Sequence, residues 1–85
     1  MTTWRICVWS SPNHEDLVAD ISLGEDFICQ VDQTEGIERL HVTWSPGVAG
    51  LGRIPLAELE DALSRARLRL IELKKATPDS GSRLG

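Results

Sequence analysis

LVADISLGEDFICQVD, residues 17–32, is the stretch that decides how this chain folds. Apolar side chains occupy alternate positions, Leu17, Ala19, Ile21 and Leu23, then Phe27, Cys29 and Val31. That is the period-2 signature of strands with one buried face. Between the two runs stands Gly24-Glu25-Asp26, a turn composition. A three-residue loop there sets Leu23 opposite Phe27, Ile21 opposite Cys29 and Ala19 opposite Val31, apolar against apolar throughout. A two-residue loop at Gly24-Glu25 sets Ile21 against Ile28 and Ala19 against Gln30. Since a slip of one residue turns every side chain over, the three-residue loop is the expectation. Residues 13–21 also fit a short helix capped by Asn13, with Leu17, Val18 and Ile21 on one side. The pairing pattern favours strand.

The same pattern extends in both directions. Downstream, a turn over residues 34–37 leads to Leu40, Val42 and Trp44 on a further strand. A four-residue loop pairs Val31 with Leu40, Cys29 with Val42 and Phe27 with Trp44, and on the other face Asp32 with Arg39 and Gln30 with His41. Upstream, residues 2–9 alternate, with Trp4, Ile6 and Val8 to one side and Thr3, Arg5, Cys7 and Trp9 to the other. After a loop over 45–54 bearing Pro46, Gly47, Gly50 and Gly52, Pro55 suits the first position of a helix. Leu56, Leu59, Leu63, Ala66, Leu70 and Leu73 then recur at spacings of three and four, a single apolar stripe. Glu58, Glu60 and Asp61 come early and Lys74 and Lys75 late, as the helix dipole favours, and Pro78 stops the helix. The predicted fold class is α+β: a four-stranded antiparallel meander packed on one C-terminal amphipathic helix. Residues 1–76 form the single domain, and the polar, Gly/Ser-rich residues 77–85 are expected to be a flexible tail.

Composition narrows the function. Eighty-five residues make one domain with a stability of about 4–13 kcal/mol, at about 0.05–0.15 kcal/mol per residue. No apolar run approaches the roughly 20 residues that span a bilayer. Arg5 interrupts the first apolar run and no small-residue cleavage site follows, so the N-terminus does not read as a signal peptide and a cytoplasmic location is expected. Two cysteines, Cys7 and Cys29, with no CxxC, give neither a disulfide scaffold nor a zinc knuckle. The net charge is −4. It is unevenly spread: residues 1–50 hold two arginines against eight carboxylates, a net of −6, and residues 51–85 a net of +2. The acidic half repels phosphate backbones and attracts basic surfaces.

Candidate chemistry is thin. Residues 47–52 resemble a phosphate loop only in their glycines: the Lys-Ser/Thr of a Walker motif is missing, and Glu58, Glu60 and Asp61 load the same helix end with negative charge, although Arg53 lies close by. A flexible connection is the expectation, with a small-ligand or anion site there as an alternative. His14-Glu15-Asp16 is compact, yet a metal site needs three or four convergent ligands, and His41 is placed on the outer sheet face. Cys29 faces inward and Cys7 has no histidine in its row, so neither serves as an activated nucleophile. Asp20 and Asp32 share a face about 7 Å apart without a cleft to perturb them. Arg65, Arg67 and Arg69 split between helix faces, and pairings of Arg65 with Asp61 and Arg69 with Glu72 neutralise part of them. With a pI near 5.0, nucleic-acid binding is not expected. No catalytic residue, cofactor or metal is assigned.

The outer face of the sheet remains. Its expected rows are Arg5, Asp20, Gln30, His41 and Cys7, Val18, Asp32, Arg39. One helix covers one side, so this side meets water or a partner. Trp9, Asp20, Glu25, Asp26, Ile28, Asp32, Arg39 and His41 are the expected partner-binding residues, with Trp9 as the anchor. Leu68 and Ile71, off the main helix stripe, are the expected contacts of an alternative homo-oligomer.

Ser10-Ser11-Pro12, then Leu17-Val18-Ala19-Asp20-Ile21, then Pro55-Leu56 with Leu59, Ala62, Leu63 and Ala66, resemble a group of small bacterial proteins shaped like immunity proteins, which block a toxin by covering it. Gly50-Leu51-Gly52-Arg53-Ile54 ahead of an amphipathic helix is similar to a region of a small phage anti-CRISPR protein. Both resemblances imply acidic inhibitors that act by occlusion, and neither assigns a chemical role to a residue. The expected function is therefore a non-catalytic, acidic protein-binding inhibitor whose partner presents a basic, nucleic-acid-handling surface. A structural or regulatory homo-oligomer is the alternative.

Overall fold

A computed structural model describes residues 3–76, with side chains to Lys74. Residues 77–85, expected as a tail, lie outside the described residues. Four strands, β1 (Trp4–Trp9), β2 (Val18–Leu23), β3 (Asp26–Asp32) and β4 (His41–Trp44), form one antiparallel sheet in the order β1-β2-β3-β4. A short 3₁₀ turn, Val48–Leu51, leads to the single helix α1 (Leu56–Ala76). The α+β meander with a C-terminal helix is the fold that the alternation of apolar residues specifies. Residues 13–21 form no helix: a turn at Pro12-Asn13 and a bend at Glu15-Asp16 lead into β2.

Ala19 pairs with Val31 and Ile21 with Cys29, as expected, but the hairpin turn is the two-residue Gly24-Glu25. Gly24 has φ +65°, at the first central position where a type II′ turn requires glycine. The parity conflict is resolved by a bulge: Ser22 pairs with Phe27, leaving Ile28 as the extra residue of β3. Two expectations are thereby corrected. Ile28, expected on the outer face as a partner contact, is 0% exposed in the core, beside an equally buried Cys29. Phe27, expected inward opposite Leu23, shares the outer face with Ser22 and is 41% exposed.

The β3–β4 connection is longer than four residues, because local hydrogen bonds stop β3 early. Asp32 Oδ1 accepts from Thr34 N (3.1 Å), an Asx turn, and two backbone turns follow, Gly36 N to Gln33 O (2.9 Å) and Arg39 N to Gly36 O (3.0 Å). Val31 consequently faces Val42, Cys29 faces Trp44 and Asp32 faces His41, each two residues from the expected partner. Arg39 lies in the loop, so its expected pairing with Asp32 is not formed. A shift of two preserves the faces. The rows on the outer face are Arg5-Ser22-Phe27 and Cys7-Asp20-Gln30-Thr43, with Trp9 opposite Val18 and Asp32 opposite His41.

The core gathers Ala19, Ile21, Ile28, Cys29 and Val31 from the sheet and Ala62, Ala66 and Leu70 from α1, with Ile37 and Leu40 packed on it from the β3–β4 loop. The expected helix stripe is rotated: Ala62, absent from it, is fully buried, and Leu56, its first member, is exposed. Two alanines at i, i+4 remove bulk from the contact line, so the helix backbone approaches the sheet closely. Helix α1 packs mainly on β1 and β2, less on β3, and leaves β4 uncovered. Val42 and Trp44 on the inner side of β4 are accordingly exposed, Trp44 by 49%. At the other edge, Trp4 Nε1 donates to Glu58 Oε1 (2.8 Å), tying β1 to the first turn of α1. No helix among the described residues is long and apolar enough to cross a membrane.

Candidate interaction site

In a four-stranded meander the β1–β2 and β3–β4 loops emerge at the same end of the sheet. Here the two loops and the end of β3 carry Glu15 and Asp16, Asp32, and Glu35 and Glu38, with Arg39 as their only Lys or Arg. Among the described residues, the one ion pair joins Asp61 to Arg65 within α1 (2.9 Å), so the carboxylates of this acidic pole are in no ion pair with a described side chain.

Each loop is shaped by short-range hydrogen bonds. Pro12 takes the second position of a turn in which His14 N donates to Ser11 O (3.2 Å), and Ser11 Oγ accepts from Asn13 N (3.2 Å). The turn lifts His14-Glu15-Asp16 toward the end of β3. Gln33, just beyond β3, donates from Nε2 to Leu17 O (3.0 Å) and so ties the two loops together. Between them lies a recess of about 280 Å³, lined by Asn13, His14, Glu15, Asp16, Gln33 and Thr34.

Two atoms of the residues that line it are buried without a hydrogen-bond partner among the described residues, Gln33 Oε1 and His14 Nδ1. Gln33 is only 5% exposed. Its amide cannot be turned over, because a carbonyl at Leu17 accepts only from the NH₂ end. Oε1 is therefore left as a buried acceptor without a donor among the described residues, at a cost of about 1–3 kcal/mol. Gln33 was absent from the expected site. The signal for it was Asp32-Gln33-Thr34, an Asx-turn sequence that ends a strand and turns the next side chain inward.

The expected outer-face site is largely self-satisfied. Asp20 accepts from Trp9 Nε1 on Oδ2 (2.9 Å) and from Gln30 Nε2 on Oδ1 (2.8 Å), a network bridging β1, β2 and β3. Trp9 thus leans across β2, and Val18 opposite it is fully buried despite its outward position. Asp32 is only 8% exposed, one oxygen being held by Thr34 N. His41 is exposed at the start of β4. Glu25 and Asp26 are exposed too, but lie at the opposite end of the sheet from the acidic pole. Leu68 is exposed and borders a shallow groove with Ile6, Arg65 and Arg69, whereas Ile71 is half-buried.

The two thiols differ sharply. Cys7 is exposed on the outer face opposite Asp20, and Cys29 is in the core. Burial, aided by the Asp20 carboxylate, pushes the Cys29 thiol up from 9.0 to about 11. The unfolded chain therefore releases this proton at a lower pH than the folded one. Its contribution to stability is complete below pH 9.0 and is lost as pH rises toward 11. Iodoacetamide at pH 8 is expected to add one carbamidomethyl group, at Cys7, to the native protein and a second, at Cys29, only in denaturant; peptide mass spectrometry reads both. Equal labelling of both thiols in the native protein contradicts the placement of Cys29.

Among the described residues no three His, Cys, Asp or Glu side chains come together as a metal site. Comparisons with protein-family models, with curated proteins and with solved structures give no match to this chain.

Proposed function

We propose that this chain is a non-catalytic protein-binding module whose acidic pole covers a basic surface of a partner protein in the cytosol, inhibiting that partner by occlusion. The observation that carries this reading is the acidic content of the two loops at one end of the sheet: Glu15 and Asp16 line a recess there, Glu35 and Glu38 lie in the β3–β4 loop after Asp32, and Arg39 is the only Lys or Arg of these loops. Such a field speeds encounter with a positive surface and disfavours nucleic acid as the direct ligand. The resemblances to immunity-type proteins and to an anti-CRISPR protein favour the same mode of action, with a nucleic-acid-handling enzyme as the partner.

The test is affinity capture from the native host at low and high salt, with the natural chain and with a variant carrying Glu15→Gln, Asp16→Asn, Glu35→Gln and Glu38→Gln. A discrete partner is expected with the natural chain at low salt. Its recovery should fall by about tenfold or more with the neutralised variant, as rim charges govern association and its salt dependence. Absence of any partner at low salt, or equal recovery by the two chains, overturns the proposal.

A further inference from the structure

We infer that β4 is a dimerisation edge, pairing antiparallel with β4 of a second copy to join two sheets across a twofold axis. Ser45 N donates to Ile28 O (2.9 Å), which continues the β3–β4 ladder past Trp44. Backbone groups alternate between the two sides of a strand, so His41 and Thr43 also turn theirs to β3. Val42 and Trp44 therefore turn their N–H and C=O groups to the open edge. The same two residues bear the apolar side chains that α1 leaves exposed on the inner face. One strand thus offers unpaired backbone and uncovered apolar surface together, the combination that receives a further strand.

The strand is complementary to itself. With Thr43 on the axis, Val42 lies opposite Trp44 of the second copy, and Trp44 opposite its Val42, each pair exchanging both main-chain hydrogen bonds. Aromatic and β-branched side chains then meet on the inner face, and Thr43 meets its own copy on the outer face. Moving the axis to Trp44 sets Val42 against Pro46, which has no N–H to give. Moving it to Val42 sets Trp44 against Leu40, which lies off the strand and packs on the core.

Charge selects the same occupant. Residues 39–57 contain no Asp or Glu in a chain of net charge −4, so two acidic copies meet here without opposing carboxylates. The other edge, β1, is guarded by the exposed Arg5 in mid-strand, and its inner face is packed by α1. Pairing therefore closes at two copies instead of running on. A seam this short lies below about 1,200 Å² in total, so the dimer is weak, with Kd on the order of 10–100 μM.

Sedimentation velocity on the full chain, from about 5 μM to about 1 mM, is expected to show a monomer that becomes a dimer. Thr43→Lys, on the exposed outer face, sets two ammonium groups against each other on the axis and should raise Kd about tenfold or more. Leu68→Glu, at the helix contact expected of an oligomer, should leave Kd unchanged. A disulfide traps the register. Cα atoms of a non-hydrogen-bonded pair lie about 4.5 Å apart, within bridging range. Thr43→Cys with the exposed Cys7 changed to serine should therefore oxidise to a covalent dimer, and Leu68→Cys in the same background should not. The trap decides the matter if Thr43→Lys does not fold.

A strict monomer at about 1 mM overturns the inference, as does a dimer that Thr43→Lys leaves intact or Leu68→Glu dissolves. Equal linking by Thr43→Cys and Leu68→Cys overturns it too. A monomeric chain that loses a captured partner on Thr43→Lys assigns the edge to a strand of that partner and rules out the second copy. Dimerisation with no captured partner keeps the dimer and removes the proposed function; capture by a strict monomer does the reverse.

Discussion

Ile28→Ala is expected to destabilise the fold by about 2–5 kcal/mol, the range for truncating a fully buried isoleucine to alanine. Against a total of about 4–13 kcal/mol, that removes a large share of the stability of an 85-residue chain. The cost arises from the bulge: Ile28 is the residue of β3 with no partner on β2, and it lies in the core with Ile21 and Cys29. The neighbouring Phe27→Ala is expected to cost clearly less, since that ring is 41% exposed on the outer face. Urea denaturation of the two variants compares them in one experiment. A larger loss for Phe27→Ala than for Ile28→Ala would mean that the hairpin has a three-residue loop and no bulge.

Ala66→Leu is expected to cost about 1–3 kcal/mol through overpacking. Ala62 and Ala66 are both fully buried in the cluster that joins helix to sheet, and there is no solvent into which added carbons can turn. Pushing the helix outward also threatens the Trp4–Glu58 hydrogen bond, which holds the first turn of α1 to β1. The contrasting substitution is Leu68→Ala, at an exposed helix position, expected within about 0.5 kcal/mol of the natural chain. Thermal unfolding of both, monitored by far-ultraviolet circular dichroism, distinguishes them. Tolerance of leucine at position 66 would place the helix contact elsewhere on its circumference.

The faces of the sheet were legible because alternation is repeated on every strand, and a register error of two residues leaves it intact. The registers themselves were not. Gly24-Glu25-Asp26 is compatible with a two- or a three-residue turn, and only a bulge at Ile28, which no local pattern marks, makes the shorter one consistent with a buried core. At the other hairpin the Asx turn at Asp32 and the turn ending at Gly36 (φ +106°) lengthen the loop, so Leu40 packs from the loop instead of pairing with Val31. On the helix, leucines announce a stripe and alanines do not, which hid the central part of Ala62. The acidic pole was half legible: the negative charge of the sheet half was plain, but its concentration needs two loops to meet. Gln33 was marked only by the Asx-turn sequence Asp32-Gln33-Thr34, and a glutamine at a strand end ordinarily faces water.

Because α1 stops short of β4, the three indoles of this protein occupy three unlike settings. Trp4 and Trp9 are each anchored to a carboxylate, whereas Trp44 stands bare at the margin of the sheet. The chain contains no tyrosine, so its ultraviolet emission when excited near 280 nm is dominated by these three rings. Trp44, 49% exposed against 40% for Trp9, is expected to supply the red edge of that band and to be the ring most readily extinguished by a dissolved quencher. A neutral quencher such as acrylamide is therefore expected to report on the uncovered margin at Trp44 and on the outer face at Trp9 without any attached dye.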